Sequence, residues 1–230
     1  VEAPKSDIFS GGKGTDTLKV GLEEEKNVKS EIKEFEKLEI SFDANSVFDF
    51  SNVSDLEEIK ITGSTSGVNF ENLPFNLSEF EVIDSQIGDW LIKFSDNSDS
   101  NPIIKWNNNS ATDSVITSLA FDEINSLSII SNGSKNVDIN SLSLDDNDTS
   151  SLNISNNNDG NFLLSSTSKI ETSSSLENIN IVTNQGGDVK LGSVQDNFGL
   201  DKLQNFKNLI LSASNSGNIE VGPLGLTNII

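Results

Sequence analysis

The feature that most constrains the fold is a repeated pattern, apolar-x-x-apolar-x-apolar, which returns roughly every 20 to 30 residues. The chain contains eight such units. Six are clear copies, one is a weaker copy (TSSLNI from Thr149) and one is degenerate (NPIIKW from Asn101). Repeats of this length are typical of solenoid proteins, in which each unit stacks on the next. The clear copies are FEKLEI from Phe35, LEEIKI from Leu56, LSEFEV from Leu77, INSLSI from Ile124, LENINI from Leu176 and FKNLIL from Phe206.

A second apolar alternation follows these units, for example GVNF (67–70) and GDVKL (187–191). Alternation with a period of two indicates a half-buried strand. Glycine or asparagine precedes these second strands and predicts a tight turn, because both residues tolerate positive φ. Two short strands cannot bury a core alone, but stacked units can. The sequence therefore predicts an all-β fold, a β-solenoid (parallel β-helix) of about eight rungs.

Two other folds compete with the β-helix. The stretch LENINIVTN, residues 176–184, also fits the leucine-rich pattern L-x-x-L-x-L-x-x-N and would suit a horseshoe. Strand alternation in the second half of each unit, where a horseshoe has a helix or a 3₁₀ turn, favours the β-helix. A β-sandwich of short strands is the third interpretation.

Residues 11–63 resemble the RTX-type surface-layer (S-layer) proteins and large RTX exoproteins of Gram-negative bacteria. GGKGTDTLKV from Gly11 matches their G-G-x-G-x-D-x-U-x turn, and FEKLEISFDANSVFDFSNVSDLEEIKITG from Phe35 matches their segments I-E-x-L-x-I…L-D-L-S-N-V-x-x-L-x-x-I-x-I-T-G. The resemblance implies a β-solenoid with an RTX-like turn at its N-terminal end, type I secretion, calcium dependence and a structural or adhesive role.

The same resemblance implies a calcium site in the glycine-rich turn, where glycine carbonyls and an aspartate carboxylate are the ligands. Gly12, Gly14 and Asp16 hold those positions, and Asp7 holds the aspartate position of a degenerate turn nine residues earlier. Carboxylate and carbonyl oxygens are the ligands that Ca²⁺ prefers. A glycine turn that binds no ion is the alternative.

A second candidate cation site is the acidic stretch LDDNDTS, in which Asp145, Asp146 and Asp148 are close enough in sequence to share one ion. The alternative is a solvated loop, since Asp and Asn are preferred turn residues. The chain contains no cysteine and no histidine. The available ligands are therefore oxygens, which suit calcium far better than zinc or copper.

The composition limits the partners and the chemistry. The formal net charge is −21, from 36 acidic and 15 basic residues. Such a charge repels nucleic acid and anionic membranes unless a divalent cation bridges them, and we find no apolar run long enough to span a bilayer. Arginine and histidine are absent, and no acidic residue stands out as a catalytic group, so we do not expect an enzyme.

We divide the chain into an RTX-like calcium-turn segment (1–21), a charged linker or short cap helix (22–34) and a β-solenoid repeat domain (35–230). The helix interpretation rests on the spacing of Val28, Ile32 and Phe35. Because the chain begins at Val1 and lacks methionine, we expect a fragment of a longer polypeptide.

The predicted function is a structural module of a secreted bacterial cell-surface protein, of the S-layer type, whose assembly depends on calcium. The expected partners are other copies of the chain in a surface lattice, or outer-membrane lipopolysaccharide, through divalent cations. The alternative is an adhesin segment that offers surface residues such as Trp90 and Trp106 to glycans or host protein. Either function places the chain outside the cell.

Overall fold

The computed structural model describes residues 8–24, 26–29, 31–95, 100–109, 112–144, 149–164, 171–172, 175–192 and 207–222. Within these ranges every regular element is a β-strand, and no helix occurs. The strands are β1 (Ile8–Ser10), β2 (Thr17–Leu22), β3 (Lys26–Val28), β4 (Glu31–Lys33), β5 (Lys37–Phe42), β6 (Ser46–Asp49), β7 (Glu58–Thr62), β8 (Val68–Leu73), β9 (Glu79–Ile83), β10 (Ile87–Phe94), β11 (Ile103–Asn108), β12 (Ser114–Asp122), β13 (Ser126–Gly133), β14 (Val137–Ile139), β15 (Leu142–Leu144), β16 (Ser151–Asn156), β17 (Phe162–Leu164), β18 (Glu171–Thr172), β19 (Asn178–Thr183), β20 (Val189–Leu191), β21 (Asn208–Ala213) and β22 (Ile219–Val221).

These strands build two long parallel sheets. The first wall has the order β2-β5-β7-β9-β11-β13-β16-β19-β21. The second wall has the order β3-β6-β8-β10-β12-β14-β17-β20-β22, with β15 and β18 joined beside β12. Because the chain alternates between the walls and each strand pairs with one from the next unit, the fold is the predicted β-solenoid. Parallel pairing rules out the β-sandwich, and the strands of the second wall rule out the horseshoe.

The first wall follows the sequence repeat closely. Each of the eight units supplies one of its strands, including the degenerate unit (β11) and the weaker one (β16). The sheet has nine strands rather than eight, because residues 17–22, directly after the glycine turn, form β2 and pair with β5. Among the described residues, this wall therefore has one strand more than the number of repeat units, and the number of rungs differs slightly from the prediction.

The short cap helix predicted within residues 22–34 is wrong for the described part of that segment, which forms β3 and β4. β3 pairs with β6 in the second wall, and β4 pairs with β1. Val28 packs against the core and Ile32 is itself buried. The two side chains thus contact the interior from separate strands, and pairing with neighbouring rungs outweighs the helical spacing.

The core lies between the walls and changes in character along the solenoid. In its N-terminal half, buried rings of Phe70, Phe80, Trp90 and Trp106 lie in edge or stacked contact, with centroids 5.9–6.2 Å apart. Further along, equivalent inward positions of successive strands form a column that starts at Trp106 and continues through Ser131, Asn156 and Thr183. The three polar residues of this column are fully buried.

Two of these buried polar side chains are hydrogen-bonded to the adjacent corner of their own coil. The Asn156 Nδ2 group donates to the Gly160 carbonyl at 3.0 Å, and the Thr183 hydroxyl donates to the Gly187 carbonyl at 2.7 Å. Because buried polar groups are tolerated when they are hydrogen-bonded, these contacts explain how the Thr183 hydroxyl and the Asn156 Nδ2 group are accommodated in the core, while Oδ1 of Asn156 has no partner among the described residues.

Positive φ does occur in the corners before the second wall, but earlier in the corner than the sequence interpretation places it: Gly63, Asp84 and Gly133 have positive φ where strands of the first wall end. Described residues such as Gly187 and Asn161 have no positive φ there. Glycine is needed instead for space, because a Cβ on Gly187 would overlap the carbonyl group of Gly160 one rung away. Asparagine is needed for hydrogen bonding, since its side-chain oxygen accepts a backbone N–H of the next rung, as Asn136 does from Asn161 at 2.8 Å and Asn161 from Asp188 at 2.9 Å.

Candidate functional site

The glycine turn, residues 11–16, leads into the first strand of the first wall. Gly12 and Gly14 have φ of 102° and 122°, which L side chains rarely adopt. A Cβ at either position would meet nothing within 4 Å. Backbone conformation, and not crowding, therefore requires these two glycines.

Hydrogen bonds hold the turn against the next rung. The Gly11 N–H donates to the Lys33 carbonyl at 3.0 Å, and the Lys37 N–H donates to the Asp16 carbonyl at 3.2 Å. The Asp16 N–H donates to Oε2 of Glu36 at 2.7 Å. The turn is thus part of the solenoid and is not a separate loop.

Asp16 has the most informative side chain of the turn. Its Oδ2 atom is buried and has no hydrogen-bond partner among the described residues, and it is one of seven side-chain atoms there of which this is true, although a buried polar oxygen normally has a partner. A cation bound to this oxygen would remove the cost of burying it unpaired. The Asp16 carboxylate therefore fits the calcium ligand that the resemblance implies.

The described residues provide part of such a site. In the described part of the chain, no group of three or more acidic side chains is placed to hold a metal ion. Asp7, the predicted ligand of the preceding turn, lies outside the described residues. The second predicted site, Asp145, Asp146 and Asp148, also lies outside them.

Glu36 is the member of this site that sequence reasoning missed. In the sequence it belongs to the repeat unit FEKLEI and not to the glycine turn. The signal was present in the strand register: Thr17 pairs with Lys37, so the preceding residues, Asp16 and Glu36, lie side by side. In a sequence of this kind, an acidic residue one repeat unit after the turn aspartate is therefore expected to lie beside that aspartate.

Outside the turn, the acidic excess is partly compensated by ion pairs between rungs. On the first wall, Lys19 pairs with Glu39 at 2.8 Å and Lys60 pairs with Glu81 at 3.3 Å. These pairs are exposed or half-exposed, and such pairs contribute little to stability individually.

Asp49 is the most strongly perturbed acid of the described surface. Burial acts to raise the pKa of Asp49, but hydrogen bonds outweigh it: Lys29 donates at 2.7 Å, and the Ser51 N–H and the Asn72 side chain each donate at 3.0 Å. The pKa of this carboxyl therefore lies well below its usual range. The arrangement is a rung-to-rung contact of the second wall.

The two tryptophans proposed for ligand binding are in the core. Trp90 and Trp106 are 1% and 0% exposed, and their rings meet edge to face at 5.9 Å. Neither ring can stack on a sugar in this structure. The adhesin interpretation therefore loses the aromatic residues on which it relied.

An apolar recess of about 180 Å³ lies at the N-terminal end of the solenoid. Its lining residues are apolar, and several of them, such as Leu18 and Val20, continue the inward columns of the core. The recess is therefore the open end of the core, and its described lining contains no titratable group for catalysis.

Comparison with protein-family models, with curated proteins and with solved structures finds no significant match to the chain. No family assignment therefore follows from similarity. In the described part of the structure, no helix is long and apolar enough to cross a membrane.

Proposed function

We propose that this chain is a structural module of a secreted bacterial cell-surface protein, of the S-layer type, whose assembly and stability depend on calcium. The observation that carries the proposal is the buried, unpartnered Oδ2 of Asp16 in a turn whose Gly12 and Gly14 have positive φ. The carboxylate of Glu36 contacts the Asp16 backbone, which adds a second negative charge beside the turn.

The regular architecture supports a structural role. Nine strands stacked at about 4.8 Å per rung give a wall about 40 Å long. Successive rungs are linked by backbone ladders, by side-chain hydrogen bonds and by ion pairs. Such a rod is suited to bear load or to space other domains.

Electrostatics explains why a divalent cation is needed for assembly. Copies with a net charge of −21 repel one another, and they also repel the phosphate groups of lipopolysaccharide. Physiological salt screens charges beyond about 8–10 Å but does not join two carboxylates. Calcium joins carboxylate to carboxylate or to phosphate, so copies of the chain and lipopolysaccharide are the proposed partners. Export by type I secretion would move the chain into calcium-rich surroundings, where these contacts form.

Thermal unfolding and light scattering with 2 mM Ca²⁺, with 2 mM Mg²⁺ and with chelator test the proposal. We expect Ca²⁺ to raise the melting temperature and to promote association more than Mg²⁺ does. Asp16→Asn should abolish the calcium-specific rise in melting temperature, because it removes the charge of the unpartnered carboxylate.

Asp159→Asn is the matched control, since Asp159 is an exposed corner residue and its substitution removes the same charge. It should respond to calcium as the unmodified chain does. Equal melting curves and equal scattering under all three conditions would refute calcium dependence and favour an assembly that needs no cation.

A further inference from the structure

The outer face of the first wall divides into a charged half and an uncharged half. In β5, β7 and β9 the outward positions are mostly lysine and glutamate, such as Lys37, Glu58 and Glu79, stacked in register. In β13, β16, β19 and β21 no outward position is charged. We call this second region the neutral face; its residues are Ser126, Ser128, Ile130, Asn132, Ser151, Asn153, Ser155, Asn178, Asn180, Val182, Asn208, Ile210 and Ser212.

The neutral face is accessible in the structure. The outward residues of β13, β16 and β19 are half-buried by their neighbours in the sheet, and those of β21 are exposed. In β21, the last described strand of this wall, the outward Ile210 and the inward Leu211 are 56% and 47% exposed, so exposure there reflects the end of the described stack. Ile130 and Val182 flank Ser155 in one column, so aliphatic and small polar side chains alternate along that column.

We infer that the neutral face is a contact surface for the same face of a second copy of this chain. Two copies that each carry −21 charges repel least where they meet through an uncharged surface. Asparagine and serine both donate and accept hydrogen bonds, so a surface of these residues is complementary to itself. A two-fold contact requires such self-complementarity.

The size of the face sets the strength of the contact. Four strands about 4.8 Å apart, each with six residues at about 3.3 Å, give about 400 Å² per copy. A standard stable interface buries about 800 Å² per partner. A single contact is therefore weak and reversible, and it becomes effective where copies are crowded in a surface assembly. In this respect the inference rests on the proposed function.

Contact through the neutral face needs no cation, which separates it from the calcium-dependent contacts proposed above. The test is sedimentation equilibrium of the chain with chelator in 1 M NaCl, where the screening length is about 3 Å. We expect a concentration-dependent dimer. Ile130→Lys should weaken dimerisation about tenfold or more, because it would bury an unpaired charge.

Val47→Lys is the matched control: Val47 is a half-buried outward residue of the second wall. Both substitutions lower the net negative charge, and a general charge effect would therefore strengthen association in both. Loss of dimer in Ile130→Lys together with retention in Val47→Lys supports the inference. Equal behaviour of the two variants, or no dimer of the unmodified chain, overturns it.

Cross-linking gives a second measurement that does not depend on a charge substitution. The chain has no cysteine, so a single introduced thiol reports one position. Asn153 lies between Ser128 and Asn180 in the middle of the neutral face, while Asn69 is outward on the second wall. A short bismaleimide should link two copies of Asn153→Cys and leave Asn69→Cys monomeric; equal yields would refute face-to-face pairing. Failure of calcium to change melting would refute the proposed function without affecting these results.

Discussion

Inward and outward residues alternate along each strand of the repeat. Replacing two adjacent residues with aspartate should therefore change stability by very different amounts. Ile179 is 1% exposed and lies between Leu152 and Leu209 of the neighbouring rungs. Asn180, the next residue, faces outward between Asn153 and Ile210. Ile179→Asp should destabilise the chain severely, whereas Asn180→Asp should have a small effect.

The magnitude follows from the burial of Ile179. Its replacement loses about 1.5–3 kcal/mol of hydrophobic burial, and an uncompensated buried charge costs a further 3–5 kcal/mol or so. The sum is about 5–8 kcal/mol. The free energy of unfolding of a typical folded domain is about 5–15 kcal/mol, so the substitution would remove a large part or all of it. Asn180→Asp should stay within about 0.5 kcal/mol, because its carboxylate remains solvated.

Urea unfolding followed by circular dichroism and by tryptophan fluorescence measures both effects. The tryptophans are in earlier rungs than Ile179, so a coincident loss of both signals would show that the whole solenoid unfolds together. Burial raises the pKa of the new carboxyl; its neutral form is therefore favoured at low pH, and the destabilisation should increase as the pH rises. Free energies of unfolding within 1 kcal/mol of each other for the two variants would refute the inward orientation.

Three further predictions concern the corners, the second wall and the core. Gly187→Ala should destabilise by about 1–3 kcal/mol in thermal melts, because the new Cβ would overlap Gly160; an unchanged melting temperature would contradict this close approach. Asp49→Asn should lower stability at pH 7, since the depressed pKa of Asp49 gives stability that is present above its unfolded pKa of about 4 and is lost as the pH falls through the folded value. The difference from the unmodified chain should shrink below pH 4 in urea titrations, and a constant difference would refute the assignment. Acrylamide should quench Trp90 and Trp106 weakly in the folded chain and strongly in urea, because both are buried; strong quenching without urea would contradict their placement in the core.

The fold was predictable because the repeat records the strand register directly. The last two apolar residues of FEKLEI are Leu38 and Ile40, and those of LEEIKI are Ile59 and Ile61. Leu38 pairs with Ile59 and Ile40 pairs with Ile61, and all four are buried in the core. The pattern is weaker where the core is polar. Asn156 occupies an inward position that apolar spacing cannot reveal, since its burial depends on a hydrogen bond to the Gly160 carbonyl.

The candidate site was predictable only in part. The sequence places a glycine turn at Gly12 and Gly14, and the positive φ of both residues fits such a turn, because few other residues adopt it. The sequence does not reveal that one oxygen of Asp16 is buried without a partner, since this depends on how the turn packs on the next rung. The role of Glu36 likewise follows from the register and not from its position in the motif.

Some outward columns limit which charges can follow one another, although Glu58 and Glu79 are neighbours in another column. In a parallel sheet each side chain lies about 4.8 Å from the equivalent side chains of the neighbouring rungs, so a column of like charges would repel along its whole length. The first wall avoids this repulsion in one column by alternating Lys19, Glu39, Lys60, Glu81 and Lys105. Later rungs avoid it with serine and asparagine instead. Because charge alternation gives way to amide and hydroxyl side chains, the acidic excess is carried elsewhere on the molecule, and one face remains available for contact between copies that otherwise repel.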